Sequence, residues 1–165
     1  MADIIPFDER DGALWLDGQL VPWRDAKVHV LTHGLHYASC VFEGERLYNG
    51  RIYKLAEHTA RLFESARILG MKIPYSEAEI DKACYAAAES QGIVDGYVRP
   101  VVWRGSEQMA VAAPDSTVHV AIAVWQWPSY FDAAESSRAS ASKSRDGSAP
   151  RPTPRRPTPR PPVST

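Results

Sequence analysis

The chain has 165 residues, enough for one domain of ordinary size, and a formal net charge of −1 at pH 7. It is 44% hydrophobic and 24% charged, as globular proteins are, and no apolar run reaches the roughly 18–20 residues that cross a bilayer, which argues against an integral membrane protein. The acidic first segment lacks the apolar core of a secretory signal, and two cysteines make no disulfide framework, so we expect a cytoplasmic protein.

Composition divides the chain into two parts. Residues 1–133 hold all 16 aromatic residues and carry 12 Lys and Arg against 18 Asp and Glu. Residues 134–165 carry 7 basic against 2 acidic residues, and residues 150–165 contain seven of the 13 prolines. A segment of this kind buries too little apolar surface to offset its chain entropy. We therefore predict a folded domain over residues 1–132 and a disordered Pro/Arg/Ser-rich tail over residues 133–165.

In chain order, two turn signals predict two β-hairpins. Asp17-Gly18 lies between apolar residues of the segment 13–22, and Asn49-Gly50 lies within residues 41–53. Between them, residues 28–31 form a short apolar segment, and the stretch from residue 29 to 40 has the pattern of strand and turn.

Two helices follow the hairpins. Over residues 55–70, Leu55, Leu62, Phe63, Ala66 and Leu69 recur near the 3.6-residue period, and a glycine ends the segment. Glu57 and Arg61 are four residues apart on this helix, the spacing of a side-chain pair.

The second helix is predicted over residues 76–91. It begins with Ser76 and Glu79, which have the spacing of a capping box. Strands are then predicted over residues 97–103, where Pro100 indicates an edge or an irregularity, and over the apolar residues 118–127. Helices grouped between strands indicate an α+β fold with one open α/β layer.

Several side chains are candidates for a binding site, each with a structural alternative. Arg61 lies on an amphipathic helix, where it is either solvated or a clamp for a phosphate group. Tyr97 and Arg99 share one face of a strand, as an exposed pair or as a carboxylate receptor. The remaining candidates are aromatic, and they form either core or the wall of an apolar pocket: Trp125, Trp127 and Tyr130, with Phe42 and Tyr37 as additions.

Two further patterns are weaker. His29, His33, His36 and Cys40 would share one face of a helix and could hold zinc, but no carboxylate or second thiol supports them, so we predict no metal site. The tail matches PxxP, which an SH3-type domain or a nucleic acid could bind, or which has no selected function. No P-loop, GxGxxG, GxSxG or HExxH pattern is present in the sequence.

Three motifs in series, HYxxxVFEGxR, EHxxRL and GYxRP, resemble the N-terminal part of the branched-chain amino-acid aminotransferases. These are fold-type IV enzymes that use pyridoxal 5′-phosphate. The resemblance covers residues 15–132 and implies the small domain of such an enzyme. It implies transfer of the amino group of leucine, isoleucine or valine to 2-oxoglutarate, a homo-oligomer, and no nucleic-acid or membrane partner. Related fold-type IV enzymes, the D-amino-acid aminotransferases and aminodeoxychorismate lyases, would share this scaffold.

The resemblance also implies roles for individual residues. Arg61 matches the arginine that binds the cofactor phosphate, and Arg99 matches the one that accepts the distal carboxylate of glutamate. Two residues, Tyr37 and Val111, match side chains that reach the pocket of the neighbouring subunit. The other matches surround the substrate pocket: Phe42, Tyr97, Trp127 and Tyr130.

The sequence departs from the family in its lysines. The family's cofactor-binding lysine lies in an AKxxGxY-like context, which none of Lys27, Lys54, Lys72, Lys82 and Lys143 has. We therefore expect a truncated, inactive fragment with no catalytic residue of its own. If residues 135–138 are encoded GAA AGC TCA AGG and allowed synonymous codons are chosen for the rest, one added A gives a reading that contains AKAAGLY. This reading makes the tail a frameshift product.

Overall fold

The computed structural model describes residues 5–127, in which two long helices pack on one face of an antiparallel sheet. The predicted tail, the domain boundary at residue 132 and Tyr130 lie outside these residues. The strands are β1 (Ala13–Leu16), β2 (Gln19–Pro22), β3 (Cys40–Phe42), β4 (Glu45–Tyr48), β5 (Arg51–Ile52), β6 (Gly96–Arg104) and β7 (Val118–Trp125). The helices are α1 (His33–Tyr37), α2 (Leu55–Ile68) and α3 (Glu77–Glu89), with 3-10 turns at Phe7–Glu9 and Trp23–Asp25.

The sheet has the strand order β2-β1-β7-β6-β4-β5, and β3 also pairs with β6. Strands β1 and β2 form the hairpin predicted at Asp17-Gly18, and β4 and β5 form the one at Asn49-Gly50. Both Asp17 and Asn49 have positive φ, as do the glycines after them, which is the geometry of a type I′ turn. The α+β prediction is confirmed.

The core lies between the sheet and the two long helices. Leu62 and Ala66 of α2 and Ile80 of α3 are fully buried against Val98 and Ile122 of the central strands. Helix α3 begins as predicted, because Ser76 and Glu79 form both hydrogen bonds of a capping box. The predicted apolar face of α2 was wrong at one position: Leu69 is 43% exposed, since the helix ends at Ile68, and Thr59 takes a buried place.

The segment before β3 differs from its sequence pattern. Residues 28–31 form no strand; Val28 and Val30 are exposed, and the chain turns into the short helix α1. The residue after this helix, Ala38, has a left-handed conformation and ends it. No helix among residues 5–127 combines the length and the apolarity needed to cross a bilayer.

Pro100 does not lie on an edge strand, so that part of the expectation was wrong, but the irregularity is present. Strand β6 pairs with β7 along one side, and along the other with β3 and β4, which share one register. The ladder is interrupted between Phe42 and Glu45, opposite Pro100, because proline has no N–H to donate. One bond remains there, from the N–H of Glu43 to the Pro100 carbonyl. Glu43 and Gly44 lie in this gap, beside the inner strand β6.

Candidate functional site

The face of the sheet opposite α2 and α3, here called the open face, carries most of the candidate residues. Side chains alternate along a strand, so the burial of Val98 and Val102 against the helices directs Tyr97, Arg99 and Trp103 to the open face. The same alternation along β7 puts Trp125 there, and the register pairs it with Tyr97.

Arg99 joins two of the predicted aromatic residues. Its Nη2 donates to the Tyr97 hydroxyl at 2.9 Å, and its guanidinium carbon lies 4.2 Å from the centre of the Phe42 ring and 5.1 Å from that of Tyr97. A cation close to two aromatic rings is held in its orientation by them. The Nε of Arg99 is buried and has no hydrogen-bond partner within the described residues.

Two tryptophans extend this cluster. The Tyr97 ring centre is 4.9 Å from that of Trp125 and 5.7 Å from that of Trp127. The structure therefore brings Phe42, Tyr97, Arg99 and Trp127 together as one aromatic surface with a single arginine. We call these four residues and Trp125 the aromatic–arginine cluster.

Gly44 leaves room for the Tyr97 phenol. A Cβ added at Gly44 would overlap the Tyr97 hydroxyl and lie 2.9 Å from its ring carbon Cζ, closer than real Cβ contacts. The interruption between β3 and β4 thus exposes bare backbone over which the ring lies. Gly44 was not identified from the sequence, because nothing local indicates that a ring 53 positions later covers it.

Buried donor atoms that have no acceptor in the described part of the chain favour an anion on the open face. Besides the Nε of Arg99, they are the Nε and Nη1 of Arg46 and the Nε1 of Trp125. Arg46, Tyr97 and Trp125 occupy paired positions on three adjacent strands. Buried polar groups are normally hydrogen-bonded, so donors of this kind favour a carboxylate or phosphate acceptor.

Arg61 lies in α2 and contacts Glu43, not Glu57. Its Nε donates to Glu43 Oε1 at 2.5 Å and its Nη2 to Oε2 at 2.7 Å. His58 Nδ1 lies 2.8 Å from the same Oε2, and because a carboxylate only accepts, this nitrogen is the donor. The hydrogen bond from Arg61 holds the pKa of Glu43 below its usual range and raises the pKa of Arg61, so both groups are charged. Glu57 pairs instead with Lys54.

Tyr37 and Val111 are placed together, around a cavity of about 460 Å³ that Phe42, Tyr97 and Arg99 do not line. The Tyr37 hydroxyl donates to the Met109 carbonyl at 3.1 Å, and Val111 is 83% exposed. These two residues therefore project from the domain at a different place from the aromatic–arginine cluster.

The histidines considered for zinc have other partners. His33 is buried between the Ser39 hydroxyl and the Ala110 carbonyl, and His36 contacts the Val30 carbonyl. Cys40 is exposed as a whole residue. Its thiol is partly shielded from water, and this desolvation raises its pKa. Over residues 5–127 no cluster of three or more His, Cys, Asp and Glu has a metal-binding arrangement.

Comparison with known proteins identifies relatives of this chain. A family model described as amino-transferase class IV matches residues 40–160. A branched-chain-amino-acid aminotransferase of Pseudomonas aeruginosa is 50% identical over 127 residues, covering 74% of this chain and 41% of the relative. The chain thus spans about two fifths of the length of the curated relatives that it matches.

Two solved structures are similar in fold. The branched-chain amino acid aminotransferase of Escherichia coli has a TM-score of 0.71 at 34% identity, covering 75% of this chain and 42% of the other. The T.th. branched-chain amino acid aminotransferase in complex with N-(5′-phosphopyridoxyl)-L-glutamate has a TM-score of 0.68 at 36% identity, covering 72% and 41%. Both likenesses cover about two fifths of the longer chain.

Proposed function

Because the chain belongs to the amino-transferase class IV family, we propose that it supplies the substrate-recognition part of a branched-chain amino-acid aminotransferase. The observation that supports this best is the aromatic–arginine cluster. Transfer of an amino group from leucine to 2-oxoglutarate needs one pocket that accepts an aliphatic side chain and, in the other half of the reaction, a carboxylate. Aromatic walls suit the first group. Arg99, whose buried Nε has no partner among residues 5–127, suits the second.

The cofactor of the family is pyridoxal 5′-phosphate, which carries the amino group between the two substrates when bound. Arg61 fits its phosphate, since the side chain is 65% exposed and only one edge of the guanidinium contacts Glu43. The cofactor-binding lysine has no counterpart in the expected sequence context. We therefore propose that a polypeptide of these 165 residues alone does not form glutamate from leucine and 2-oxoglutarate.

Selective loss of dicarboxylate binding tests the role of Arg99. The 165-residue chain with ¹⁵N-labelled tryptophan would be titrated with glutarate and with the uncharged 4-methylpentanamide, following the indole N–H signals of Trp125 and Trp127. We expect Arg99→Gln to weaken glutarate binding about tenfold, because a charge-assisted hydrogen bond is lost. The binding of 4-methylpentanamide should change little, because it carries no charge and its aliphatic end contacts only the rings.

The matched control is Arg51→Gln, which removes the same charge from an exposed position on β5. It should leave both affinities unchanged. Equal weakening of the two ligands by Arg99→Gln would contradict a carboxylate-specific role. Unchanged glutarate binding would contradict the assignment of the pocket.

A homo-oligomer and a cytoplasmic location are part of the same proposal. Exposed apolar side chains cluster near Tyr37, among them Val30, Leu35 and Val111, and an apolar groove of about 340 Å³ runs along the open face beside Leu35. Exposed apolar surface of this kind favours a subunit contact. Cys40 and Cys84 are free thiols, as suits a reducing compartment.

A further inference from the structure

Glu43 is a buried carboxylate whose position is fixed by the sheet. Its side chain is 5% exposed, and its backbone N–H bonds to the Pro100 carbonyl at the interruption between β3 and β4. From there it reaches α2, where it binds Arg61 through two parallel hydrogen bonds. A charged, buried group with a fixed backbone is a rigid anchor for a long side chain on the surface.

The bidentate contact uses one edge of the Arg61 guanidinium. Of the five N–H groups of an arginine, Glu43 accepts the Nε–H and one Nη2–H. The Nη1 hydrogens and the second Nη2–H lie outside this contact, and His58 Nδ1 is 3.2 Å from Nη2. Because the Arg61 side chain is 65% exposed, a second oxyanion can approach that side while Glu43 stays in place.

We propose that Glu43 is a positioning residue for Arg61: it holds the guanidinium by the Nε edge and presents the Nη1 edge to a phosphate group. This inference rests on the proposed function, in which Arg61 binds the phosphate of the cofactor. Without the anchor, the arginine would lose several rotamers on binding, and that entropy cost would weaken the contact. If Glu43 and the phosphate used the same edge of Arg61, they would compete. Glu43 would then have to leave Arg61 before the phosphate binds.

The same helix offers a matched pair for comparison. Arg67 binds Glu64 through its Nε at 2.7 Å and its Nη2 at 2.6 Å, the same geometry as Arg61 with Glu43. Glu64, however, has a side chain that is 55% exposed and lies on the helix itself, three residues away. Glu64→Gln thus removes a carboxylate that binds an arginine in the same geometry, from the same helix, without removing the hydrogen bonds of Arg61 to Glu43.

The test is a titration of the full 165-residue chain with pyridoxamine 5′-phosphate, which has no aldehyde that could react with surface lysines. The readouts are the dissociation constant and the ¹H–¹⁵N signal of the Arg61 Nε–H. We expect the wild-type signal to stay in place on binding, because Glu43 remains bound to it. Glu43→Gln should weaken binding about tenfold, and Glu43→Asp should recover part of the loss. Pyridoxamine, which lacks the phosphate, should bind all these chains with the same affinity. Glu64→Gln should bind pyridoxamine 5′-phosphate as tightly as the wild type does.

Two results would overturn the inference while leaving the proposed role of Arg61 intact. The first is a Glu43→Gln chain that binds pyridoxamine 5′-phosphate as well as the wild type or better. The second is an Arg61 Nε–H signal that leaves its Glu43-bound position when the phosphate binds, a measurement on the wild type that does not depend on whether a variant folds. If the wild type binds no better than Arg61→Gln, the phosphate role of Arg61 itself fails, and the inference fails with it.

Discussion

At the scale of single residues, Glu45 has the most unusual surroundings. It lies on β4, its residue is 1% exposed, and neither carboxylate oxygen has a hydrogen-bond partner within the described residues. Burial, followed by the nearby charges of Glu43 and Asp81, raises the pKa of Glu45 to about 8. The folded protein therefore holds Glu45 in its neutral form near pH 7, unlike its neighbour Glu43.

Glu45 should make stability depend on pH. Between an unfolded pKa of about 4.5 and a folded pKa of about 8, only the folded chain keeps the proton, so the free energy of unfolding falls as pH rises through this window. The total loss is on the order of 3–5 kcal/mol. Glu45→Gln cannot ionise and should remove this fall, which urea unfolding at pH 5 and pH 8 measures.

The control for this prediction is Glu89→Gln at the exposed end of α3. It should keep the wild-type difference between the two pH values. A Glu45→Gln chain with the same pH dependence as the wild type would show that Glu45 ionises normally in the folded state.

At the scale of secondary structure, the first turn of α3 is stabilised by local contacts. The Ser76 hydroxyl accepts from the backbone N–H of Glu79, and the Glu79 carboxylate accepts from the N–H of Ser76. These bonds satisfy two donors that a helix N-terminus otherwise leaves to water. They also lower the pKa of Glu79, so this contact weakens as pH falls through the range where Glu79 is protonated.

Loss of the cap should destabilise the whole domain, because α3 packs against the central strands. We expect Ser76→Ala to lower the free energy of unfolding by about 1 kcal/mol at pH 7, measured by urea unfolding. Ser106→Ala, in an exposed loop, is the matched control and should change little. A Ser76→Ala chain as stable as the wild type would mean that packing alone fixes the helix start.

Elements were predictable to the extent that their signals are local. The turns at Asp17-Gly18 and Asn49-Gly50 and the start of α3 follow from neighbouring residues. The position of Pro100 in an inner strand does not follow from its neighbours, because it depends on which strands flank β6. A proline in a central strand is accommodated here by an interruption of the neighbouring strand, which no pattern within residues 97–103 could show.

At the scale of the whole molecule, the composition changes abruptly after residue 132, outside the described residues. We propose that the tail is read in a shifted frame. The family model, however, matches residues 40–160 and so extends past this point. We expect resequencing of the coding DNA across the codons for residues 132–137 to find one additional A. The present frame, found again in independent DNA, would contradict this.

The candidate site combines both kinds of information. Resemblance named Phe42, Tyr97, Arg99 and Trp127 as residues of one pocket, and the structure brings their side chains into contact. The resemblance did not indicate that Glu43 binds Arg61 or that Gly44 leaves room for the Tyr97 ring. Those contacts join a strand junction to a helix and to another strand, and their partners are 18 and 53 residues apart.

The sequence by itself determined the two hairpin turns, the two long helices and the last two strands, the capping box and the family, because each depends on residues close together or on motifs in series. The tertiary structure alone decided which charges meet. Glu43 and Glu45 are two residues apart on the chain, yet Glu43 is ionised by Arg61 and His58, and Glu45 is kept neutral by burial. The physical reason is that an ionisable group responds to the solvent and charges around it in space, and sheet pairing and helix packing create those surroundings.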